Sequence, residues 1–440
     1  MLADRIQPFT ESTIFYSIKQ WVQQTKATDI ATGQPNWKMP QFIKENFKQQ
    51  LENEDLIQDQ YGPPQGILEL RESLAKHYNK ELNQEYLKAE DFHIGVGASQ
   101  IINDVNFAFL NQGDEVIVFD PHFPQQRISP LFFGAKVVSV KQKYNQEKKK
   151  WEIDINEFKN KINEKTKLVV TCSPNNPTGK VFTKQEYQQL GEILEKYQKV
   201  IVMADDVYDY LVYDKAEYVR FFQACPQLSN RIITVGSLGK KFSCTGWRYG
   251  FAFSKNPELI KGLFTVGENS YYGTFKPGQY VMAKSLEQIY EPYKGSNSFL
   301  DYTCQEFQKN RDFIMENFSQ IPGFDWQILG CEGGYFVLVD IKKMIPKILL
   351  KYFYKKENQG KIQEDKLNQP CACKFEELED PDFSPDTAFC QYLIFEYNVV
   401  IMPTSSFYVN PDKDNCLMRI SLSKKLDFYK EALQKLQKNQ

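Results

Sequence analysis

The 440-residue sequence has no uninterrupted apolar run near the length of a membrane span, so no bilayer-crossing helix is expected. Its opening residues, MLADRIQPFTESTIF, carry no long apolar stretch and no cleavage-like site. An excess of either charge is missing too. The 54 basic and 56 acidic residues leave a net charge of −2 with both signs interspersed, which gives neither a nucleic-acid footprint nor an acidic tail. The nine cysteines are odd in number and scattered; Cys371 and Cys373 lack zinc-finger spacing and have no histidine nearby. Reduced thiols in a cytoplasmic protein, with a mitochondrial address left open, and no bound metal are the expectation. Small molecules remain as the partners, with no nucleic acid and no membrane.

What the chain does have is length enough for two domains and one unusual stretch, Val235 to Phe251, VGSLGKKFSCTGWRYGF. It follows an apolar run that reads as a buried strand, so Ser237 and Lys240 fall at the lip of a sheet, where open α/β folds bind ligands. Out of bulk water a lysine ammonium is disfavoured, and the neutral amine can condense with an aldehyde. Ser237 and Arg248 would suit a phosphate dianion, one with a hydroxyl and the other with a charged fork. Together they point to an aldehyde bearing a phosphate, of which pyridoxal 5′-phosphate is the obvious one. Two solvated lysines, Lys240 and Lys241, in a turn are the alternative.

Other segments supply matching parts. A strand over 92–96 breaks at Gly97-Ala-Ser99 and resumes as a helix over 100–110, a cradle in which the Ala98 and Ser99 amides and the Ser99 hydroxyl can hold one phosphate. Gly95-Val-Gly97 lacks the third glycine of a dinucleotide fingerprint, with Gln100 in its place. Phe123, just past the strand over 114–119, could lie on an aromatic cofactor. The rigid loop SPNNPTG after the strand over 168–172 could hold the Asn176 amide against a ligand oxygen. Asp205 ends the strand that begins at Val200 and needs a cationic partner if buried; Asp206 is its rival, and Tyr208 follows three residues on. Arg419, mid-strand among apolar residues, demands an anion, either a substrate carboxylate or a structural ion pair. Gly33 and Tyr61 stand in proline-stiffened turns.

In order and approximate spacing these residues resemble the class I/II pyridoxal-phosphate aminotransferases of fold type I, across nearly the whole chain. The resemblance implies an α/β fold with a mostly parallel central sheet in a large domain, residues 46–295. A smaller α/β domain would combine residues 1–45 with 296–440. Within that stretch the residue pattern predicts a strand over 324–329, a second over 333–340 whose alternation suits a half-exposed sheet, and a charged, partly disordered surface insertion at about 351–386. The resemblance implies that Lys240 holds the cofactor covalently, with Ser237, Arg248, Ala98 and Ser99 on its phosphate, Phe123 on its ring, and Asp205 at the pyridine nitrogen. Asn176 and Tyr208 would meet the phenolic oxygen, while Gly33, Asn176 and Arg419 would receive the substrate. Tyr61 would reach the neighbouring subunit's phosphate, which makes a homodimer with shared sites the expected assembly.

The implied activity is ping-pong transamination between an amino acid and a 2-oxo acid, with Lys240, Asp205 and Tyr208 as the catalytic residues. The stretch 267–279 has no arginine to read a second carboxylate, which argues against aspartate. Phe15, Tyr16, Tyr271, Tyr272 and Phe275 suggest room for an aromatic or large apolar side chain. The C-terminal half, from Glu332 to Phe336 and from Pro403 to Tyr408, is most similar to kynurenine/glutamine transaminases that also act as cysteine-conjugate β-lyases. A β-lyase, an alanine- or aspartate-type aminotransferase and a non-catalytic binding protein of this fold are the competing readings.

Overall fold

The computed structural model describes residues 2–9, 13–53, 60–214, 216–361, 363–412 and 415–438. Its centre is an eight-stranded sheet in the spatial order Phe92–Val96, Tyr249–Phe253, Ile232–Ser237, Ile201–Asp205, Thr166–Cys172, Glu115–Asp120, Lys136–Asn145, Lys150–Ile153. The strands from Ile232–Ser237 to Lys136–Asn145 in that order run parallel. Tyr249–Phe253 is antiparallel to both its neighbours, and Lys150–Ile153 forms an antiparallel edge.

Parallel strands covered on both faces read as continuous apolar runs, and these do. Ile117 and Phe119 join one core while Val116 and Val118, on the opposite face, join another, as a side-chain period of two requires. Helices fill both sides; Lys184–Leu194 begins at a capping box in which Thr183 and Glu186 satisfy each other's backbone amides. Because the strands share a direction, Asp120, Cys172, Asp205 and Ser237 all emerge at the same edge of the sheet.

A second, antiparallel sheet has four strands in the order Gln327–Ile328, Phe336–Asp340, Leu417–Ser421, Met402–Pro403. Its core gathers Ile18 and Ile30 from the start of the chain with Phe307, Phe389 and Tyr429. Thr28–Asp29 pairs in parallel with Val399–Val400, which fastens the N-terminal segment to this lobe. Val207, Tyr208, Leu211 and Tyr213 belong to the same core although they directly follow the strand Ile201–Asp205. The segment after Asp205 therefore crosses from one core to the other.

Three expectations change. The strand Phe336–Asp340 is buried on both faces instead of half exposed, because Leu338 packs with Trp151 and Leu329 while Val337 and Val339 enter the lobe core. The strand expected over 324–329 shrinks to Gln327–Ile328, since Phe324 and Trp326 turn inward, their rings 4.9 Å apart. The charged segment 351–386 is not a plain surface loop: short helical turns cover Leu350–Phe353, Glu364–Leu367 and Phe375–Glu377, and Tyr352, Phe353, Tyr354 and Cys371 are buried. Those aromatic side chains anchor a stretch whose average composition hides them.

Candidate active site

Where the two lobes meet at the C-terminal ends of the parallel strands lies a cavity of about 250 Å³. Gly33, Ala98, Ser99, Phe123, Asn176, Asp205, Tyr208, Ser237, Lys240, Arg248 and Arg419 all line it, joined by Phe15. Of the residues expected at the cofactor, Tyr61 alone is elsewhere. It is 87% exposed and lines a separate cleft with Tyr271, Tyr272 and Phe275, its ring 5.3 Å from that of Tyr272. Tyr16 is 53% exposed and does not line the cavity, so of the aromatic residues expected around the substrate only Phe15 reaches it in this chain.

The lysine is held from several directions. Ser237 caps the short helix Leu238–Lys241, its hydroxyl accepting from the Lys240 amide at 3.3 Å. Tyr210 and Tyr335 donate to the Lys240 carbonyl at 2.6 and 3.1 Å. The side-chain Nζ donates to the Gly33 carbonyl at 3.1 Å and lies 4.7 Å from the centre of the Tyr335 ring. Burial pushes its pKa down to about 7, and the nearby Arg419 and Arg248 charges push the same way. Near neutrality a sizeable share of the amine is unprotonated.

Opposite stands Asp205, 3% exposed. Its Oδ2 accepts from Gln126 at 2.7 Å, while its Oδ1 is buried without a partner. Burial raises its pKa to about 6. Asp206, raised to about 7 by burial, does not line the cavity, which separates the two rival carboxylates.

The anion end rests on glycines. Gly97, at φ +81°, precedes the helix Ala98–Phe109, and a Cβ there would sit 2.5 Å from the Arg248 guanidinium. A Cβ on Gly250 would come within 2.2 Å of the Ala98 nitrogen. Helix start, arginine and strand approach more closely than side chains would permit, which leaves the Ala98 and Ser99 amides beside Ser237 and Arg248. At the other end Arg419, 2% exposed, donates from Nη1 to Asn176 Oδ1 at 2.9 Å and from Nη2 to the Ala31 carbonyl at 3.2 Å. Its guanidinium lies 3.8 Å from the centre of the Phe336 ring, and its buried Nε has no partner. Burial lowers its pKa to about 9.

The family described as aminotransferase class I and II matches residues 25–436. The chain belongs to the class I and II aminotransferases. The probable kynurenine–oxoglutarate transaminase BNA3 of Saccharomyces cerevisiae is 30% identical over 425 residues, 94% of this chain and 87% of that one. The probable aspartate/prephenate aminotransferase of Aquifex aeolicus is 29% identical over 351 residues, 79% of this chain and 85% of its own. The crystal structure of yeast Bna3p superposes with a TM-score of 0.83 at 28% identity, covering 99% of this chain and 98% of that one.

Aminotransferases of this family are pyridoxal-phosphate-dependent enzymes of fold type I, and the donor set here fits that cofactor. A buried carboxylate oxygen without a partner, an amine of lowered proton affinity and a helix start opened by glycines are what its ring nitrogen, aldehyde and phosphate need. Reading the sequence of this aminotransferase alone does not find Gln126, Tyr210 or Cys172. Gln126 and Tyr210 touch Asp205 and Lys240 only through folding, and Cys172 lines the cavity without any motif of its own. Tyr335 lies within the Glu332-Gly-Gly-Tyr-Phe segment, a signal for the lobe but not for contact with Lys240.

Proposed function

We propose that this aminotransferase takes an amino donor with an aromatic or large apolar side chain, kynurenine-like in size, and passes the amino group to a 2-oxo acid in a ping-pong cycle. The observation carrying this reading is the cavity wall: Phe15, Ile102, Phe123, Val207 and Phe336 supply apolar surface, while Lys240, Arg248 and Arg419 are its only cationic side chains among the described residues. With Arg419 taken by the donor's α-carboxylate and Arg248 by the cofactor's phosphate, no guanidinium remains for a second carboxylate. Burying that group unpaired would cost several kcal/mol. The likeness to the yeast transaminase supports the same class of donor.

In this reading Ser237, Arg248, Ala98 and Ser99 bind the phosphate and Phe123 lies on the ring. Asp205 holds a proton on the pyridine nitrogen, and Asn176 and Tyr208 donate to the phenolic oxygen. Gly33, Asn176 and Arg419 orient the substrate carboxylate. When bound, pyridoxal phosphate supplies the aldehyde that accepts the amino group and a ring that takes up the electron pair left on the substrate α-carbon. Lys240, whose amine loses its proton near neutral pH, would take the proton from the substrate α-carbon and deliver it to the cofactor's former aldehyde carbon, which keeps the transferred amino group. Tyr335 and Tyr210, through the Lys240 carbonyl, keep the amine in range.

We assign residues 46–295 to a large domain and residues 1–45 with 296–440 to a small one, a division supported by the shared core of Ile18, Phe307 and Tyr429. The exposed cluster of Tyr61, Tyr272 and Phe275 supports a homodimer in which Tyr61 serves the other subunit. The test is a donor screen with 2-oxoglutarate, glyoxylate and pyruvate as acceptors, followed through cofactor absorbance. Kynurenine or phenylalanine should exceed aspartate at least about tenfold in kcat/KM, the factor expected from about 1.4 kcal/mol of transition-state preference. Preference for aspartate would overturn the reading, and ammonia release without an acceptor would point instead to β-elimination.

A further inference from the structure

A larger cavity, of about 380 Å³, opens between residues 37–40, the turn at Tyr293 and Lys294, the helix Phe299–Asn317 and residues 424–426. Its walls combine two kinds of surface. Trp37, Tyr293, Phe299 and Tyr302 offer aromatic rings, and Lys38, Lys294 and Lys425 offer ammonium groups against the single acid Glu306, while the Lys424 ammonium is already paired with Asp29 at 3.6 Å. Lys38, Lys294, Lys425 and Glu306 make no ion pair among the described residues. The rings are held in place: Trp37 Nε1 donates to the Ser243 hydroxyl at 3.0 Å and packs edge-on to Phe307 at 5.2 Å.

The cavity also touches the parts that surround the active lysine. Lys424, 5% exposed, donates to the Thr32 hydroxyl and the Gln34 carbonyl, each at 3.0 Å. Those two residues flank Gly33, whose carbonyl accepts from Lys240 Nζ. Ser243, held by Trp37, lies three residues beyond Lys240 at φ +55°, a conformation its neighbours must maintain.

We propose that this cleft is an effector site for a small aromatic carboxylate, distinct from the catalytic cavity. The rings receive the flat apolar body and the excess of lysines receives the carboxylate. An inorganic anion would leave the rings unused, and a neutral aromatic would leave the ammonium groups unpaired. Because the occupant bears on Trp37 and Lys424, it fixes residues 32–34 and Ser243 and so alters turnover without competing with the amino donor. The inference goes beyond the proposed donor class and stands whichever donor is used.

The probe is indole-3-acetate, titrated into the loaded enzyme by calorimetry. Arg419→Met weakens any binding in the catalytic cavity and should leave the cleft site saturable. Thr303→Trp, which fills the cleft, and the exposed pair Lys294→Ala/Lys425→Ala should each weaken that binding at least tenfold. Acetate and indole should each bind at least tenfold more weakly than the probe. In the unaltered enzyme the probe should change kcat while the donor's KM stays constant, and this kinetic pattern decides the question should Arg419→Met or Thr303→Trp fail to fold. Purely competitive inhibition, binding untouched by the lysine pair, or binding with unchanged kcat would each overturn the proposal.

Discussion

Replacing Asp205 by asparagine should stabilise the cofactor-free protein while disabling the enzyme. In the fold one carboxylate oxygen accepts from Gln126 at 2.7 Å and the other is buried with no partner. Burial lifts the pKa from 3.8 to about 6. At about 1.4 kcal/mol per pKa unit, a rise of roughly two units amounts to about 3 kcal/mol lost from stability when the group is ionised. The sign follows from the raised folded-state value: protonation favours the fold. The penalty is absent below the unfolded pKa near 4, grows as the pH rises to about 6, and is constant above. Asparagine removes the charge, its oxygen can still accept from Gln126, and its volume is the same. Thermal melting of both cofactor-free proteins from pH 4 to 8 measures the effect. The variant should melt higher at pH 8, with the gap closing toward pH 4, while turnover falls about 100-fold or more. A variant that melts at or below the parent at pH 8, or a gap that does not vary with pH, would refute the assignment of an unpaired buried charge.

Arg419→Lys should raise the donor's KM about 10- to 100-fold, because a planar fork shared with Asn176 and stacked on Phe336 becomes a single point charge; a lost charge-assisted hydrogen bond is worth about 1.5–3 kcal/mol. Steady-state kinetics at saturating oxo acid reads this directly. Gly250→Ala places a Cβ 2.2 Å from the Ala98 nitrogen, so the helix start must shift; urea unfolding should show a loss of about 1–3 kcal/mol and fluorescence titration a weaker affinity for pyridoxal phosphate. The rate at which Lys240 takes up pyridoxal phosphate should climb with pH and level off above about 7, where the amine is already neutral, and a rate still rising beyond pH 9 would mean an ordinary lysine. Lys240→Ala should give neither turnover nor a hydride-trapped adduct at position 240.

Much of the site is legible in the sequence because several of its residues close or follow a strand whose apolar run marks where it ends. Asp205 and Ser237 terminate buried strands, and Asn176 sits in a loop fixed by its own prolines, so local pattern alone brings them to one edge of the sheet. Contacts that join the lobes leave no such trace. Tyr335 is about a hundred residues from Lys240 and meets it only because the segment after Asp205 crosses between cores. Tyr61 marks another limit, since a side chain 87% exposed lines no part of the catalytic cavity in one chain and its proposed role rests on a second copy. The insertion fails for a different reason: Tyr352, Phe353 and Tyr354 are consecutive and buried, and a window averaged over their charged neighbours dilutes them.

The groups facing the cavity share one physical condition. Lys240, Asp205 and Arg419 are each displaced toward the neutral form, and burial is the leading cause for all three. A chain selected only for stability would pair such groups with one another, yet Asp205 keeps an oxygen and Arg419 a nitrogen without a partner. The signs are also unequal, with three cations against one carboxylate among the lining residues. An excess of positive charge beside one buried acid suits the proposed ligand, which carries a phosphate, a carboxylate and a protonated ring nitrogen. The unpaired Asp205 oxygen and Arg419 nitrogen are the groups that the proposed cofactor and substrate would satisfy.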